Sequence, residues 1–581
     1  MDVFAIFSER VAAALRALYP ELPEELLGRF VVEPPRDPGH GDLSTNAAMV
    51  VAKPLGRNPR EVAAAVVARF ADDRDVASAE VAGPGFINFR LNAPIWFEVL
   101  RSIGALRKDY GRADIGKGQP VNIEYVSANP TGPMHVGHTR GAVFGDALAS
   151  LMQYCGYAVT REYYINDAGS QVDTLARSAF LRYREALGEV VDIPRGYYPG
   201  DYLIPVGQAL AQEFAGTLRW QEESEWLPVV KERTLAAMLA LIKTDLGKLN
   251  IHHDVFFSEK TLHGDGGDID ETLAWLREEG MIYEGRLEPP KGKTPEDWED
   301  REQTLFRATQ FGDDVDRPLV KSDGSYTYFA ADIAYHRNKF LRGFKHMVNV
   351  LGADHSGYIK RLEAAVKAVS LGAADIDVRI CQLVRLMKNG EPFKMSKRSG
   401  DLVTVADVVD EVGSDATRFM LLYRRNDAAM DFDFGLVKEQ TRDNPVFYVQ
   451  YAHARACSVF RVAERDMPGL DLSAAALAAA DIGLLDTPGD LELMRILAQW
   501  PRTVAAAASA HEPHRIAFYL YEVAAAFHAL WAKGREDTSL RFVNAEQPKL
   551  TTARLVLVDA VRQVLVNGLG ILGVSAPEEL S

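Results

Sequence analysis

The sequence predicts an α/β fold class, in which a nucleotide-binding domain follows a small N-terminal α/β domain and precedes an all-α C-terminal helix bundle. Two strand–loop–helix units support this prediction. The first has a strand at residues 121–126 and a helix at 135–155, and the second has a strand at 346–351 and a helix at 357–371. Both loops contain glycine, as the opening units of nucleotide-binding α/β folds do. After Asn444 the apolar spacing is almost wholly helical.

The domain boundaries follow from changes in composition and periodicity along the chain. The N-terminal part combines an amphipathic stretch, a Gly/Pro-rich turn and alternating, strand-like residues at 76–91, all typical of a small α/β domain. A charged, glycine-rich stretch at 104–119 favours a linker. The predicted segments are an α/β domain at 1–92, a linker at 93–119, the nucleotide-binding domain at 120–440 with an insertion at about 194–321, and a helical domain at 441–581.

Composition restricts the class of protein. The chain has 581 residues, of which 47% are hydrophobic and 25% are charged, as in soluble globular proteins. It has no run of eighteen apolar residues, so we expect no transmembrane helix and no membrane partner. Three widely separated cysteines favour a reducing cytoplasm and argue against a structural metal. The net charge of −16 lowers the expectation of a nucleic-acid partner without excluding one, because binding depends on where positive charge is concentrated.

His135 and His138, with Gly137 between them, form the first candidate catalytic motif, at a predicted strand-to-helix turn. Free backbone N–H groups and the helix dipole favour phosphate at such a turn, and glycine lets a nucleotide approach closely. Imidazoles three residues apart share one side of a helical turn, where they can donate hydrogen bonds to phosphate oxygens. An HxxH pair alone is more often structural or a fragment of a metal site, but no cysteine or suitably spaced carboxylate completes a zinc site here.

The second candidate catalytic motif follows a predicted strand at residues 378–387. It reads Lys394-Met395-Ser396-Lys397-Arg398. Ammonium groups on a loop that closes over a triphosphate stabilise the charge that develops in the transition state. A basic cluster of this kind is usually a solvated surface loop when it occurs alone. Because both motifs occur in this order, each at a strand exit, they indicate nucleotide chemistry.

Together the two motifs resemble the HIGH and KMSKS sequences of class I aminoacyl-tRNA synthetases, with Arg398 where that family most often has serine. The resemblance implies a split Rossmann-type catalytic domain that adenylates an amino acid, with ATP and Mg²⁺ entering as one substrate complex. The implied catalytic residues are His135, His138, Lys394 and Lys397. The implied ATP-binding residues are Gly132, His135, Gly137, His138, Gly352, Asp354, Lys394, Met395, Ser396 and Lys397.

Residues 127–134 and 326–335 are similar to the arginyl-tRNA synthetases in particular. Tyr328 and Asp332 are four residues apart and would share a helix face, although such a pair is usually unremarkable on its own. A guanidinium, which has five donors, pairs best with a carboxylate. The arginine-binding residues that the resemblance implies are Glu124, Asn129, Tyr328, Asp332 and His355, the last at a position where some of these enzymes have glutamine.

Arginyl enzymes either keep a KMSK-like loop or replace it with a lysine just before the first motif. This chain has Pro133 and Met134 before His135, with no lysine nearby, and it has the later loop. It therefore resembles the enzymes that keep the loop, which supports Lys394 and Lys397 as the residues that act on ATP.

Both ends of the chain carry the same resemblance. Residues 39–46 resemble the N-terminal domain that binds the tRNA elbow, and residues 444–455 and 564–578 resemble the helical anticodon-binding domain. Aromatic and cationic side chains suit the stacking of unpaired bases and contact with phosphate. The candidate tRNA-binding residues are Arg442, Tyr448, Tyr451 and Arg455. We expect a cytoplasmic monomer that binds the tRNA for arginine, L-arginine and ATP, and that activates arginine only when tRNA is bound.

Three alternatives remain open at this point. A small-molecule nucleotidyltransferase uses similar chemistry, but it does not account for the N-terminal domain or the helical tail. A non-enzymatic tRNA-binding relative would have no reason to keep the histidines and lysines. Another class I specificity, such as cysteine, is the nearest error within the class, although a thiol substrate favours a Cys/His zinc pocket that the sequence lacks.

Overall fold

The computed structural model describes residues 1–264, 266–287, 301–393 and 403–580. Two compact units divide the chain. Met1–Ala113 and Gln440–Ser581 form one, called here the terminal unit, and Asp114–Glu439 form the other, called the central unit.

The N-terminal part of the terminal unit packs helices on a four-stranded antiparallel sheet of order β1-β2-β4-β3. Its elements are α1 (Val3–Leu18), α2 (Glu24–Leu27), β1 (Val32–Glu33), β2 (Leu43–Thr45), α3 (Ala47–Leu55), α4 (Pro59–Ala68), β3 (Val76–Ala82), β4 (Phe86–Leu91) and α5 (Ala93–Leu106). Asp2 caps α1 by accepting a hydrogen bond from the Phe4 N–H at 2.9 Å. The strands predicted within residues 76–91 are confirmed.

The predicted linker at 93–119 begins with an ordered helix, because α5 buries an apolar stripe that includes Trp96 and Leu100. The polypeptide then attaches to the helices at the other end of the chain. Trp500 Nε1 donates to the Tyr110 carbonyl at 3.0 Å, and the Tyr110 hydroxyl donates to the Leu497 carbonyl at 3.2 Å. Much of this segment therefore belongs to a packed core.

The helical part of the terminal unit confirms the helical periodicity after Asn444. Its helices are α16 (Pro445–Asp466), α17 (Ala474–Ala478), α18 (Pro488–Ala498), α19 (Trp500–Ala510), α20 (His514–Glu536) and α21 (Pro548–Leu572). By length and composition α21 could cross a membrane, yet 72% of its most apolar window is buried inside the protein. Such burial is typical of the core helix of a bundle. Gly568 lets α20 approach closely, since a Cβ at this position would lie 2.4 Å from the Leu520 side chain.

The central unit alternates helices and strands. Its elements are β5 (Pro120–Glu124), α6 (Val136–Tyr154), β6 (Ala158–Ile165), α7 (Ser170–Ala186), α8 (Ile204–Phe214), α9 (Glu223–Lys248), β7 (Val255–Ser258), α10 (Asp268–Glu278), β8 (Ile282–Gly285), β9 (Gln303–Phe306), β10 (Arg317–Pro318), α11 (Tyr328–Leu341), β11 (His346–Gly352), α12 (Ile359–Val369), β12 (Asp375–Cys381), β13 (Val384–Lys388), β14 (Glu391–Pro392), α13 (Val405–Val412), α14 (Ser414–Leu422), β15 (Met430–Asp433) and α15 (Phe434–Lys438).

Five of these strands form one parallel sheet of order β12-β11-β5-β6-β7. The chain starts in the middle at β5, runs outwards through β6 and β7, and later returns to build β11 and β12 on the other side. The direction therefore reverses between β5 and β11. In sheets of this kind the crevice at the carboxyl ends of the strands, where the order reverses, is where ligands bind. This arrangement confirms the predicted doubly wound, Rossmann-type architecture.

Two local predictions differ from the structure. The strand predicted at 378–387 is two strands, β12 and β13, which belong to different sheets because the chain turns at Gln382. The insertion predicted at 194–321 contains β7, whose four residues pair with β6 in the central sheet. The strand is too short to have an apolar run that stands out in the sequence. Part of the predicted insertion therefore belongs to the sheet that forms the crevice.

Candidate functional site

The histidine motif lies at the start of α6, directly after the loop that leaves β5. His135 is the N-cap residue, and its Nδ1 accepts a hydrogen bond from the Gly137 N–H at 3.1 Å. The Nδ1 of His138 accepts from the His135 N–H at 3.4 Å, which completes a reciprocal capping box. A neutral imidazole that accepts at Nδ1 carries its proton on Nε2. Both rings, whose centroids are 3.8 Å apart, are therefore set to donate from Nε2.

The electrostatic surroundings keep both imidazoles neutral. Burial lowers the pKa of His135, and burial together with the neighbouring His135 ring lowers the pKa of His138 to about 4. At neutral pH the pair consequently offers N–H donors without charge. Gly137 is required for this arrangement, because a Cβ there would lie 2.8 Å from the His135 ring.

The second predicted motif, with Lys394, Met395, Ser396 and Lys397, lies outside the described residues. The residues that follow it are hydrogen-bonded to the histidine motif. The Val136 N–H donates to the Val403 carbonyl at 2.9 Å, and the Val405 N–H donates to the Met134 carbonyl at 2.8 Å. The chain therefore re-enters the described structure beside His135.

Arg140, one turn further along α6, anchors the segment around the second motif. Its side chain is almost fully buried and donates to three carbonyl oxygens, those of Gln382 at 3.0 Å, Arg425 at 2.6 Å and Ala428 at 2.7 Å. Gln382 lies just before β13, and the other two lie in the turn before β15. Arg140 thus holds the segments that lead into β13 and β15 against α6.

Two more predicted ATP-binding residues lie at the carboxyl end of β11, the neighbour of β5. Gly352 ends the strand, and Asp354 lies in the 3₁₀ helix Ala353–Tyr358 that replaces the predicted turn. The exposed Asp354 carboxylate is close enough to His138 to oppose the lowering of that imidazole's pKa. Gly132 lies in the β5–α6 loop, where a Cβ would be 3.0 Å from the Tyr202 ring. The fold brings these predicted residues to the same edge of the sheet.

Three acidic side chains from different elements surround the Tyr164 phenol at that edge. Tyr164 is hydrogen-bonded to Glu259, and burial followed by the charges of Glu259, Asp332 and Glu124 raises the pKa of this phenol. Burial, followed by the charges of Glu124 and Glu259, raises the pKa of Asp332 to about 7. Asp332 forms no ion pair among the residues that the structure describes. The cluster is therefore a negatively charged pocket that suits a cation.

Glu124, the last residue of β5, is neutralised by the protein itself. Lys339 donates to its carboxylate at 2.6 Å, and both side chains are buried. The turn after β5 is strained, since Val126 and Ser127 have φ of 72° and 40°, values that a β-branched residue rarely adopts. This turn directs the Ser127 hydroxyl to Glu124, to which it donates at 3.0 Å.

The other predicted arginine-binding residues are exposed near the pocket's elements. Tyr328 is the first residue of α11, one turn before Asp332, and 67% of its surface is exposed. Asn129 donates from its amide to Gln171 at 3.1 Å. His355 contacts Asp354 at 3.5 Å. The shared helix for Tyr328 and Asp332 is confirmed, while the substrate contacts of all these residues remain predictions.

Sequence reasoning missed Glu259 and Tyr164, although both lie at the carboxyl ends of parallel strands. Glu259 directly follows β7, and Tyr164 is the penultimate residue of β6. A carboxylate at such a strand end is a candidate ligand-binding group. The signal was lost because β7 was included in the predicted insertion.

Three of the four candidate tRNA-binding residues form one aromatic cluster on α16 and α20. The Tyr448 ring lies 4.5 Å from His528 and 5.0 Å from Tyr521. Arg455 donates to the Tyr451 hydroxyl at 2.7 Å, and its guanidinium lies 4.3 Å from the centre of that ring. The fourth candidate, Arg442, precedes α16 and has a largely exposed side chain. Rings and cations in this arrangement suit unpaired bases and phosphates.

The doubly wound sheet and its histidine motif define a class I aminoacyl-tRNA synthetase, and family models agree. Residues 102–190 and 297–433 match the model for "tRNA synthetases class I (R), catalytic domain". Residues 5–91 match "Arginyl tRNA synthetase N terminal domain", and residues 449–580 match "DALR anticodon binding domain". The chain belongs to the arginyl-tRNA synthetase family.

Individual relatives support this membership over the full length. A protein named arginine–tRNA ligase from Methylobacterium sp. (strain 4-46) is 60% identical, with all of both chains covered. The structure of a putative arginyl-tRNA synthetase from Campylobacter jejuni is 32% identical, with a TM-score of 0.72 over 84% of this chain and 99% of that one. The Thermus thermophilus arginyl-tRNA synthetase shares the fold over 100% of both chains, at 22% identity and a TM-score of 0.73.

Proposed function

We propose that this chain activates L-arginine with ATP to form arginyl-adenylate and pyrophosphate, and then transfers arginine to the 3′-terminal 2′-hydroxyl of its tRNA, releasing AMP. The observation that carries the proposal is the acidic cluster of Asp332, Glu124 and Glu259, which lies at the same edge of the sheet as the neutral histidine pair. The acidic cluster suits a guanidinium and the histidines suit a phosphate, so the site accommodates both arginine and ATP.

In the first step the arginine carboxylate attacks the α-phosphorus of ATP, which enters with Mg²⁺ as its substrate complex. The Nε2–H groups of His135 and His138 donate to the phosphate oxygens as negative charge develops. Lys394 and Lys397 are proposed to stabilise the same charge. Such a step needs no covalent enzyme intermediate, because positioning and electrostatic stabilisation supply the catalysis.

The remaining assignments concern substrate binding. Asp332 is proposed to bind the guanidinium, with Glu124, Asn129, Tyr328 and His355 as further arginine contacts. Gly132, Gly137, Gly352 and Asp354 are proposed to border ATP, together with Met395 and Ser396.

The helical part of the chain is proposed to bind the anticodon loop of the tRNA. Tyr448 and Tyr451 would stack on unpaired bases, while Arg442 and Arg455 contact phosphates. We also propose a cytoplasmic monomer, and three buried cysteines that form no disulfide suit a reducing compartment.

The test is aminoacylation of bulk tRNA with each of the twenty amino acids, with ATP–pyrophosphate exchange measured in parallel with and without tRNA. We expect charging with arginine alone and exchange only when tRNA is present. Asp332→Asn should abolish charging, whereas Asp323→Asn, at an exposed site a few residues earlier, should leave it unchanged. Charging of another amino acid would contradict the arginine assignment, and the absence of any charging despite tRNA binding would contradict the enzymatic one.

A further inference from the structure

The predicted insertion contacts the loop that leads from β5 to the histidine motif. Residues 125–134 of this loop contain no helix or strand, so hydrogen bonds from other elements fix its shape. The Tyr202 hydroxyl, which lies in the insertion, donates to the Thr131 carbonyl at 2.8 Å. A second contact comes from α9, where Asp245 Oδ2 accepts a hydrogen bond from the Met134 N–H at 3.1 Å. The insertion therefore supports the loop at two points, and the second lies next to the histidine motif.

Asp245 is a buried carboxylate close to the end of α9, and its partner Met134 is also buried. Burial is the main cause that raises the pKa of Asp245, while the Met134 amide and the charge of Lys248 oppose the increase. A desolvated carboxylate destabilises a protein unless donors compensate it, and an apolar side chain at the same position would avoid that cost. The presence of Asp245 is therefore best explained by the donor that it holds, the backbone of the loop.

Met134 is also hydrogen-bonded to the segment that leads into α13. Its carbonyl accepts from the Val405 N–H at 2.8 Å, and His135 pairs with Thr404 in an antiparallel β-bridge. Because Asp245 holds the N–H of Met134, this residue is fixed at both its N–H and its carbonyl, directly before the N-cap of α6. The direction in which the His135 ring leaves the backbone depends on that placement.

We propose that Asp245 is a positioning residue for the activation of arginine, which holds Met134 so that the Nε2–H groups of the histidine pair face the α-phosphate of ATP. This assignment rests on the proposed function. Asp245 acts through the backbone of the loop and does not touch the reacting atoms. Such positioning has a large effect, because a displacement of about 1 Å at a reacting centre can cost about 10²-fold in rate. The insertion thereby contributes to catalysis.

Two variants of Asp245 separate its acceptor atom from its charge. Asp245→Ala removes the acceptor, whereas Asp245→Asn keeps an acceptor oxygen in the same place. We expect Asp245→Ala to lower the kcat of tRNA-dependent pyrophosphate exchange by about 10–100-fold, because misplaced donors stabilise the transition state less. The KM for arginine should stay within about twofold, because the lost effect belongs to the transition state. Asp245→Asn should keep kcat within about threefold of the parent protein, because the hydrogen bond from Met134 is retained.

Hydrogen–deuterium exchange measures the contact on which the proposal depends. Exchange at Met134 should become faster in Asp245→Ala and remain parent-like in Asp245→Asn, because only the first variant loses the acceptor. Asp245→Leu also removes the acceptor but leaves no cavity, so it replaces the alanine variant if that variant is not folded at the assay temperature. Asp410→Asn is the matched control, since it removes the exposed ion pair that Lys248 of α9 makes at 3.0 Å, and it should leave kcat within about twofold.

Three results would overturn the proposal. The first is a parent-like kcat in a folded variant without the acceptor, and the second is an equal loss of kcat in Asp245→Asn. The third is faster exchange throughout the central unit with a parallel rise in every KM, which would indicate general destabilisation. If the parent protein charges arginine and Asp245→Ala does so at the same rate, only the positioning role fails. If the parent protein does not charge arginine, the proposed function itself fails.

Discussion

At the scale of single residues, the two nitrogen atoms of each histidine ring have different roles. Each Nδ1 is occupied by a backbone N–H, which fixes the tautomer and leaves Nε2–H free to donate. The same hydrogen bonds cap α6, so each imidazole combines a structural atom with a functional one. A substitution that keeps an acceptor in place of Nδ1 but removes the Nε2–H donor can separate these roles.

His135→Asn should retain the cap and lose the catalysis. Asparagine is a favourable N-cap residue, so we expect thermal stability to change by less than about 1 kcal/mol. It cannot reach the position of Nε2, and losing one donor to a developing negative charge should lower the kcat of tRNA-dependent pyrophosphate exchange by about 10²-fold. Steady-state kinetics and thermal unfolding measure the two effects, and a parent-like kcat would refute the assignment.

Arginine binding should depend on pH through Asp332, whose pKa is about 7 without substrate. Burial, followed by the charges of Glu124 and Glu259, raises this pKa, while Arg361 and Lys339 oppose the increase. Guanidinium binding favours the ionised carboxylate, so below pH 7 a proton must first be released. The KM for arginine should rise by up to about tenfold per pH unit below that point and be constant above it.

The control for this pH dependence is the KM for ATP, measured in the same buffers. His138 does not produce the same inflection, because its pKa is about 4. Glu259→Gln removes one of the charges that raise the Asp332 pKa and should move the inflection to lower pH. A KM for arginine that is independent of pH between about 5.5 and 8 would contradict this account of Asp332.

At the scale of elements, the sequence was informative where a segment has a strong periodicity or a distinctive motif. The strands at β5 and β11, the helices α6 and α11, and the place of the histidine motif at a strand-to-helix turn were all predictable from such signals. The four-residue strand β7 was not, because pairing with β6 rather than its own composition makes it a strand. Glu259 and the buried partner of Glu124, Lys339, were missed because long-range packing alone brings them to the pocket.

Arg140 connects α6 to the segments before β13 and β15, a role that no local sequence pattern reveals. Arg140→Ala would remove a buried guanidinium and leave three carbonyl oxygens without their donor, so we expect the free energy of unfolding of the central unit to fall by about 2–4 kcal/mol. Hydrogen–deuterium exchange should also become faster in β13 and β15. Arg385→Ala removes an exposed arginine from β13 and should cost less than about 0.5 kcal/mol.

At the scale of the whole molecule, the chain forms two units, and the terminal unit is built from both of its ends. Within that unit, the Asn567 amide donates to the Arg107 carbonyl at 3.0 Å, and Arg495 forms an ion pair with Asp42 at 2.6 Å. Together with the Tyr110–Trp500 hydrogen bonds, these contacts join residues separated by hundreds of positions. The domain boundaries predicted from the sequence describe this unit poorly, because the unit is discontinuous in the chain.

Gly111→Ala should destabilise the terminal unit selectively. Gly111 has a φ of 85°, and a Cβ would lie 2.3 Å from the Trp500 indole. We expect a loss of about 2 kcal/mol or more, from overpacking and from an unfavourable backbone conformation. Gly104→Ala lies in α5 with no atom within 4 Å of the new Cβ, and should gain about 0.5–1 kcal/mol.

Calorimetry can show which unit each substitution destabilises, because two units are expected to give two unfolding transitions. Gly111→Ala should move one transition and Arg140→Ala the other. If either variant shifted both transitions equally, the division into two independent units would be incorrect.

The discontinuous terminal unit also affects the order of events during synthesis. About 330 residues of the central unit are translated between its two parts, which takes roughly 15–65 s at about 5–20 residues per second. During that interval Tyr110 and the α5 stripe that includes Trp96 lack the C-terminal helices that cover them. We therefore expect the N-terminal segment to bind a chaperone on the ribosome, because its apolar surface stays uncovered until then. The last part of the molecule to be made completes the core of the first.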